Sequence, residues 1–76
     1  MRVKEIDVLI LLHYNINSVV TREEITNIVW NDDLLQVSNL LDSAISNIRK
    51  VLENFPNMKI RTIYAIGYKL EIKELR

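Results

Sequence analysis

Apolar and polar residues follow a helical period over the first three quarters of the chain and an extended period after that. Within residues 4–14, Ile6, Leu9, Ile10 and His13 recur at helical spacing, with further apolar residues between them. This pattern predicts a first helix that is buried over most of its girth. Polar residues 15–18 end it.

A second helix is predicted to begin at Thr21, whose side chain can cap the amide of Glu24 while the Glu24 carboxylate reaches back to the amide of Thr21. Polar residues 31–33 end this helix after about three turns. The residues expected in the core are Ile25, Ile28, Val29 and Trp30.

The third predicted helix is the longest, running from about Ser38 to Asn54. Its apolar stripe comprises Leu41, Ala44, Ile45, Ile48, Leu52 and Phe55. Steps of 100° place an acid-free polar group on the opposite side, namely Asn39, Ser43, Ser46, Asn47 and Lys50. The same steps place Asp42, Arg49 and Glu53 on one flank of the helix.

Residues 59–64 and 68–73 alternate in the manner of β-strands, with a turn between them, which predicts a C-terminal hairpin. The expected architecture is α+β, with two helices, a longer third helix and a hairpin forming one domain over residues 1–76. This is the element order of a winged helix-turn-helix, in which the third helix has the size to enter a DNA major groove.

The composition argues against a metal site, a cofactor site and a catalytic site. The chain has 76 residues, no Cys and one His (His13), so a thiolate metal site, a cofactor site and a nucleophilic catalytic set are not expected. Its longest apolar stretch, residues 8–12, is too short to span a bilayer. We expect a cytoplasmic protein that has no enzymatic activity, binds no small-molecule substrate and has no contact with a membrane.

Charge is segregated along the chain although the total is zero. Residues 1–42 hold three basic and seven acidic residues, a net charge of −4, whereas residues 43–70 hold five basic and one acidic residue, a net charge of +4. A basic later half indicates an anionic partner.

Several motifs together resemble the C-terminal effector domain of OmpR/PhoB-type response regulators. They are K-E at residues 4–5, V-T-R-E-E-I at 20–25, V-W at 29–30, D-x-x-I-S-x-I-R-K-x-L at 42–52, I-x-T-I at 60–63 and G-Y-K-L at 67–70. The order and the gaps match that family over nearly the whole chain.

The resemblance implies a two-component transcription regulator that binds double-stranded DNA, with the third helix in the major groove and the hairpin wing at the adjacent minor groove. It also implies pairing as homodimers on tandem half-sites. The loop from Asn31 to Val37 corresponds to the segment associated with RNA polymerase contact, which makes Asp32, Asp33, Leu34 and Leu35 candidate protein contacts. The family's N-terminal four-stranded sheet is lacking, so the chain is either a fragment or a stand-alone minimal winged helix.

The candidate DNA contacts on the third helix are Asn39, Ser43, Ser46, Asn47, Arg49 and Lys50, and those on the hairpin are Arg61, Thr62, Tyr64 and Lys69. Asn pairs with adenine edges, Ser with bases or phosphates, and Lys and Arg with phosphates. The plainer alternatives are a solvated helix face, an ion pair of Arg49 with Asp42 or Glu53, and Tyr64 as a cover over its turn. Asn39 and Asn47 favour A·T-rich sites.

Departures from the family keep a second function open. Asn39 and Asn47 stand where the family commonly has Arg, Ala44 where it often has His, Tyr64 where the wing tip has Arg, and Ala65 where it has Gly. A winged helix that has lost DNA affinity would instead bind RNA polymerase or a partner regulator through Leu34, Leu35, Leu40 and its acidic first half.

Overall fold

The computed structural model describes residues 2–31 and 34–73, and for residues 34–36 it describes the backbone alone. The elements are α1 (Val3–Tyr14), β1 (Val19–Thr21), α2 (Arg22–Val29), α3 (Leu34–Leu52), β2 (Met58–Ile63) and β3 (Gly67–Ile72). The predicted order of three helices followed by an antiparallel hairpin is confirmed, and the fold is a winged helix-turn-helix.

The hairpin is part of a three-stranded antiparallel sheet with the order β1-β3-β2. The short strand β1, which the sequence pattern did not predict, pairs with the far edge of β3 from Val19↔Lys69 to Thr21↔Gly67. Gly67 permits this pairing, because a Cβ there would overlap the carbonyl oxygen of Val20. The first turn of α2 is thereby tied to the hairpin.

The hairpin tip is a tight turn with a strained residue. The amide of Ile66 donates to the carbonyl of Ile63 at 2.9 Å, and Ala65 between them has φ of 62°. A positive φ at this position is typical of a type II turn, in which Gly or Asn is favoured. Tyr64 therefore projects into solvent and is 91% exposed.

One side of α1 faces the core and the other faces solvent, so the prediction that this helix is buried over most of its girth is wrong. Val8 and Leu12 are fully buried, whereas Ile6 and Ile10 are exposed. Val3 and Tyr14 continue the exposed stripe. The spacing was helical, but a single layer of neighbours covers only one face.

The helix α2 begins as predicted at Thr21, whose Oγ1 accepts a hydrogen bond from the amide of Glu24 at 3.1 Å. Its core face differs from the prediction, since Thr26 is buried and Ile28 is 63% exposed. The hydroxyl of Thr26 donates to the carbonyl of Glu23 at 3.1 Å, which removes the cost of burying it.

The helix α3 begins at Leu34, a full turn before the predicted start, and ends at Leu52 instead of Asn54. Leu34, Leu35 and Gln36 are strong helix formers, so nothing in the sequence stops the helix there. Phe55, predicted in the apolar stripe, lies beyond the end of the helix and is half exposed.

The core lies between the three helices and the inner face of the sheet, where α3 contributes the most residues. Its fully buried large side chains include Leu41 and Ile48 of α3 and Leu70 of β3. Burying a side chain of this size contributes roughly 1.5–3 kcal/mol. Within the described residues, no helix is long and apolar enough to cross a membrane.

Candidate nucleic-acid interface

The side of α3 opposite the core is polar, free of acids and open to solvent. Asn39, Ser43, Ser46 and Lys50 are exposed along it, and we call these four residues the α3 ridge. The buried residues of α3 lie on the other side of the helix, so packing holds the ridge outward. The ridge offers amide, hydroxyl and ammonium groups to a ligand.

Asn47 does not share this position, which differs from the prediction. It is half-buried on the flank that faces α1, and its Nδ2 donates to Oε2 of Glu5 at 2.9 Å. Glu5 is 7% exposed and also accepts a hydrogen bond from the amide of Arg2 at 3.3 Å. The Asn47 hydrogen bond lowers the pKa of the Glu5 carboxyl, so this pair is a stable link between α1 and α3 at neutral pH.

The other flank of α3 faces the hairpin and is held by Arg22, the first residue of α2. Its Nη1 donates to the hydroxyl of Tyr68 at 2.7 Å and lies 2.9 Å from Oδ1 of Asp42. Its Nη2 donates to Oγ of Ser38 at 3.0 Å. One guanidinium therefore joins the start of α2, two turns of α3 and strand β3.

Arg49 belongs to the same flank and is bound to strand β2. Its Nη2 donates to the carbonyl of Ile60 at 3.0 Å and to Oγ1 of Thr62 at 2.7 Å. The guanidinium carbons of Arg49 and Arg22 lie 6.0 and 5.8 Å from the centre of the Tyr68 ring. The alternative of an intrahelical ion pair is wrong, because within the described residues Asp42 pairs with Arg22 and Arg49 has no acidic partner.

Between α3 and the hairpin lies an open cleft of about 400 Å³. Its lining is Asp42, Ile45, Ser46, Arg49, Lys50, Glu53 and Tyr68. The ridge forms one edge of this cleft, so a ligand that contacts the ridge also passes near the Arg49 guanidinium.

The candidate residues of the hairpin lie on two different faces of the sheet. Thr62 is on the inner face with Arg49, whereas Arg61 and Lys69 are on the outer face, away from the helices. Both outer cations contact Glu71, at 2.9 Å from Arg61 Nε and 3.2 Å from Lys69 Nζ. Arg61 and Lys69 are thus ion-paired in the free protein.

Asp32 and Asp33, the acidic candidates for a protein contact, lie outside the described residues. Leu34 and Leu35 belong to the first turn of α3, and not to a loop as predicted. Leu40, which the alternative function used, is exposed on the α1 flank. No group of three or more metal-ligating side chains is found within residues 2–31 and 34–73.

Trp30 is half-buried and packs against the core, in agreement with its predicted position. It also lines a cleft of about 480 Å³ that extends to Ser43 of the ridge. Lys4 lies at the same cleft, and its Nζ donates to the carbonyl of Val29 at 2.8 Å, which fixes the start of α1 against the end of α2.

Sequence reasoning missed Arg22, Glu5 and Glu71 as residues that shape this surface. Arg22 contacts Tyr68, which lies 46 positions further along the chain, and Glu5 contacts Asn47 across 42 positions. No periodicity within an element signals such partners. Only Glu71 had a local signal, since Lys69 is two residues away on the same strand face.

Comparisons with known proteins agree with this geometry. Residues 1–70 match the family described as "Transcriptional regulatory protein, C terminal". The chain belongs to this family of transcription regulators.

Among its relatives, response regulator SaeR of Staphylococcus aureus strain USA300 is 34% identical over 73 residues, which cover 93% of this chain and 32% of SaeR. SaeR of strain NCTC 8325 matches equally well. This chain therefore spans about a third of the length of these relatives. This chain is also similar to the crystal structure of the DNA-binding domain of Bacillus subtilis CssR, with a TM-score of 0.70 and 28% sequence identity. The match covers 92% of this chain and 76% of the CssR chain.

Proposed function

We propose that this chain is a DNA-binding effector domain of a response regulator, acting in the cytoplasm, with the α3 ridge in the major groove. The observation that carries the proposal is the ridge itself: an acid-free polar face on a helix that is anchored on both flanks. A rigid helix with exposed polar side chains is what direct contact with base edges requires. The likeness to the CssR DNA-binding domain supports the same function.

Within this proposal the residues have separate roles. Asn39 lies nearer the N-terminal end of α3, the part of a recognition helix that contacts base edges, and its amide suits adenine. Ser43 and Ser46 contact bases or phosphates, and Lys50 neutralises a phosphate. Asn47 has one amide hydrogen committed to Glu5, so we assign A·T preference chiefly to Asn39.

Arg49 and the hairpin complete the proposed interface. Arg49 lies at the edge of the cleft beside the ridge, where its remaining N–H groups face a phosphate of the same groove wall. Thr62 holds Arg49 from the hairpin side. Tyr64, at the exposed tip, lies against a sugar of the adjacent minor groove in this arrangement.

The proposed function is tested by fluorescence anisotropy with a mixed-sequence duplex and an A·T-rich duplex at 50 and 200 mM NaCl. Salt-sensitive binding that prefers the A·T-rich duplex is expected. Lys50→Gln should reduce the log-log salt slope by about 0.9 for one lost phosphate contact. The matched control is Lys73→Gln, because Lys73 follows the last residue of β3, at the end of the strand that is far from the hairpin tip.

Asn39→Ala should leave folding unchanged and reduce the preference for A·T-rich DNA by about 1–3 kcal/mol. Absence of binding to either duplex at 50 mM NaCl would contradict the proposal. That result would favour the protein-interaction function. Of the leucines predicted for that function, Leu40 is the one whose side chain the structure describes, and it is exposed.

We also propose, from the family resemblance, that two copies pair on tandem half-sites and that residues 32–35 contact RNA polymerase. Pairing predicts that affinity rises when the duplex carries two half-sites in tandem instead of one. Polymerase contact predicts that Asp33→Ala lowers transcription activation without changing DNA affinity. Equal affinity for one and two half-sites would contradict the pairing.

A further inference from the structure

The outer face of the sheet carries more basic than acidic side chains. Lys59 and Arg61 project from β2 to this face, as does Lys69 from β3, while Ile60 and Leu70 project to the core. We call Lys59, Arg61 and Lys69 the basic sheet face. Within the described part of the sheet, Glu71 is the single acid on that face.

Glu71 lies at the centre of these cations. One oxygen, Oε2, is 2.9 Å from Nε of Arg61 and 3.2 Å from Nζ of Lys69. Lys59 is directly opposite Glu71 in the strand register. Hydrogen bonds from Arg61 and Lys69 lower the pKa of the Glu71 carboxyl, so it stays ionised at neutral pH.

The hairpin tip beyond these cations carries no charge. Its large exposed side chains are Tyr64 and Ile66, at 91% and 52% exposure. Arg61 and Lys69 are therefore the cations of the hairpin nearest to a DNA backbone that runs past the tip. A phosphate that binds them must compete with the Glu71 carboxylate.

We propose that Glu71 is a positioning residue that limits the affinity of the hairpin for phosphate by holding Arg61 and Lys69 on the basic sheet face. The proposal rests on the proposed DNA binding and identifies what restrains it. Exposed ion pairs are weak, so Glu71 reduces phosphate contact without abolishing it. The wild-type hairpin then meets DNA mainly through its uncharged tip.

The decisive variant is Glu71→Gln, which keeps the shape and removes the charge. If both cations are released to phosphates, the log-log salt slope for a 20-base-pair mixed-sequence duplex steepens by about 1.8. The affinity of the variant then falls about tenfold more than that of the wild type between 50 and 200 mM NaCl. At 50 mM NaCl the variant binds more tightly than the wild type.

Asp7→Asn, on α1, is the matched control because it changes the net charge equally and Asp7 makes no ion pair with a described residue. The double variant Glu71→Gln with Lys69→Gln should lose about half of the gained slope. A merely structural role of Glu71 would change the melting temperature but not the salt slope. If Glu71→Gln and Asp7→Asn share the wild-type slope, the proposal is wrong.

A heparin–agarose column separates failure of this inference from failure of the proposed function. The inference predicts that Glu71→Gln elutes at higher NaCl than Asp7→Asn, whether or not the duplex is bound. Later elution without duplex binding would overturn the DNA-binding proposal and retain the role of Glu71. Elution together with Asp7→Asn would overturn the role of Glu71, whatever the duplex shows.

Discussion

The two flanks of α3 are held in place by different means. On the hairpin flank, two guanidinium groups, Arg22 and Arg49, surround the ring of Tyr68 and bind backbone and side chains of three elements. On the α1 flank, a single amide, Asn47, binds a buried carboxylate, Glu5. Polar groups on both flanks are already paired within the protein, so fewer of their hydrogen bonds are available to a ligand.

This difference shows how a recognition surface is confined to one strip of a helix. The cations expected to contact DNA are partly used to orient α3, whereas the side chains of the ridge between the flanks are exposed. Apart from Arg49, which serves both in the proposed interface, stability and recognition are thus assigned to different residues of the same helix. Variants on each part should separate the two properties.

The largest effect is expected at Arg22. Replacing Arg22 with Ala removes the bonds to Ser38 and Asp42 and leaves the hydroxyl of Tyr68, a buried residue, without the Arg22 donor, which should cost about 2–3 kcal/mol of unfolding free energy. Thermal unfolding by circular dichroism should show a drop of about 15 °C. Arg2→Ala, an exposed arginine, is the control. A drop of only about 3 °C would show that the hairpin flank does not depend on Arg22.

Arg49 should have the second largest effect. Arg49→Gln loses the bonds to the Ile60 carbonyl and to Thr62, at a cost of about 1.5 kcal/mol in urea unfolding. Lys50→Gln, the neighbouring residue on the ridge, should change stability by less than about 0.5 kcal/mol. Equal effects of the two variants would remove the distinction between flank and ridge.

The α1 flank should show its contribution in the pH dependence. The folded state holds the pKa of Glu5 below its ordinary value of 4.5, so the stabilisation is present above that pH and is lost as the pH falls through the folded pKa. Asn47→Ala removes the main cause of this shift. The variant should therefore lose less stability than the wild type between pH 5 and pH 3.

Melting temperatures measured across that pH range compare the two proteins directly, with Asn39→Ala as the control on the ridge. At pH 7, Asn47→Ala should melt about 5 °C below the wild type, because one side-chain hydrogen bond between α1 and α3 is lost. Identical pH profiles for Asn47→Ala and the wild type would show that the Glu5 link does not act on folding.

The smallest effect on stability is expected on the ridge. Ser46→Ala should raise the unfolding free energy by about 0.3 kcal/mol, because Ala has a higher helix propensity than Ser. DNA affinity should fall in the same variant. A loss of stability instead would mean that the ridge, like the flanks, supports the fold.

Local features of the fold were predictable from the chain. Thr21 and Glu24 marked the start of α2, and the alternation of residues 59–64 and 68–73 marked the hairpin, because both signals arise within a few residues. The extent of α1 burial was not predictable, because exposure of Ile10 depends on which elements cover α1. The start of α3 at Leu34, by contrast, had a local signal in the strong helix formers of residues 34–36.

For the candidate site, the sequence by itself determined which polar residues α3 turns away from the core, since a period of 3.6 places Asn39, Ser43, Ser46 and Lys50 on one side. Only the tertiary structure decided which cations are already paired. Arg22, Arg49 and Arg61 each meet a partner at least ten positions away. The physical reason is that an ion pair or hydrogen bond depends on distance in space, and packing of the helices on the sheet sets that distance.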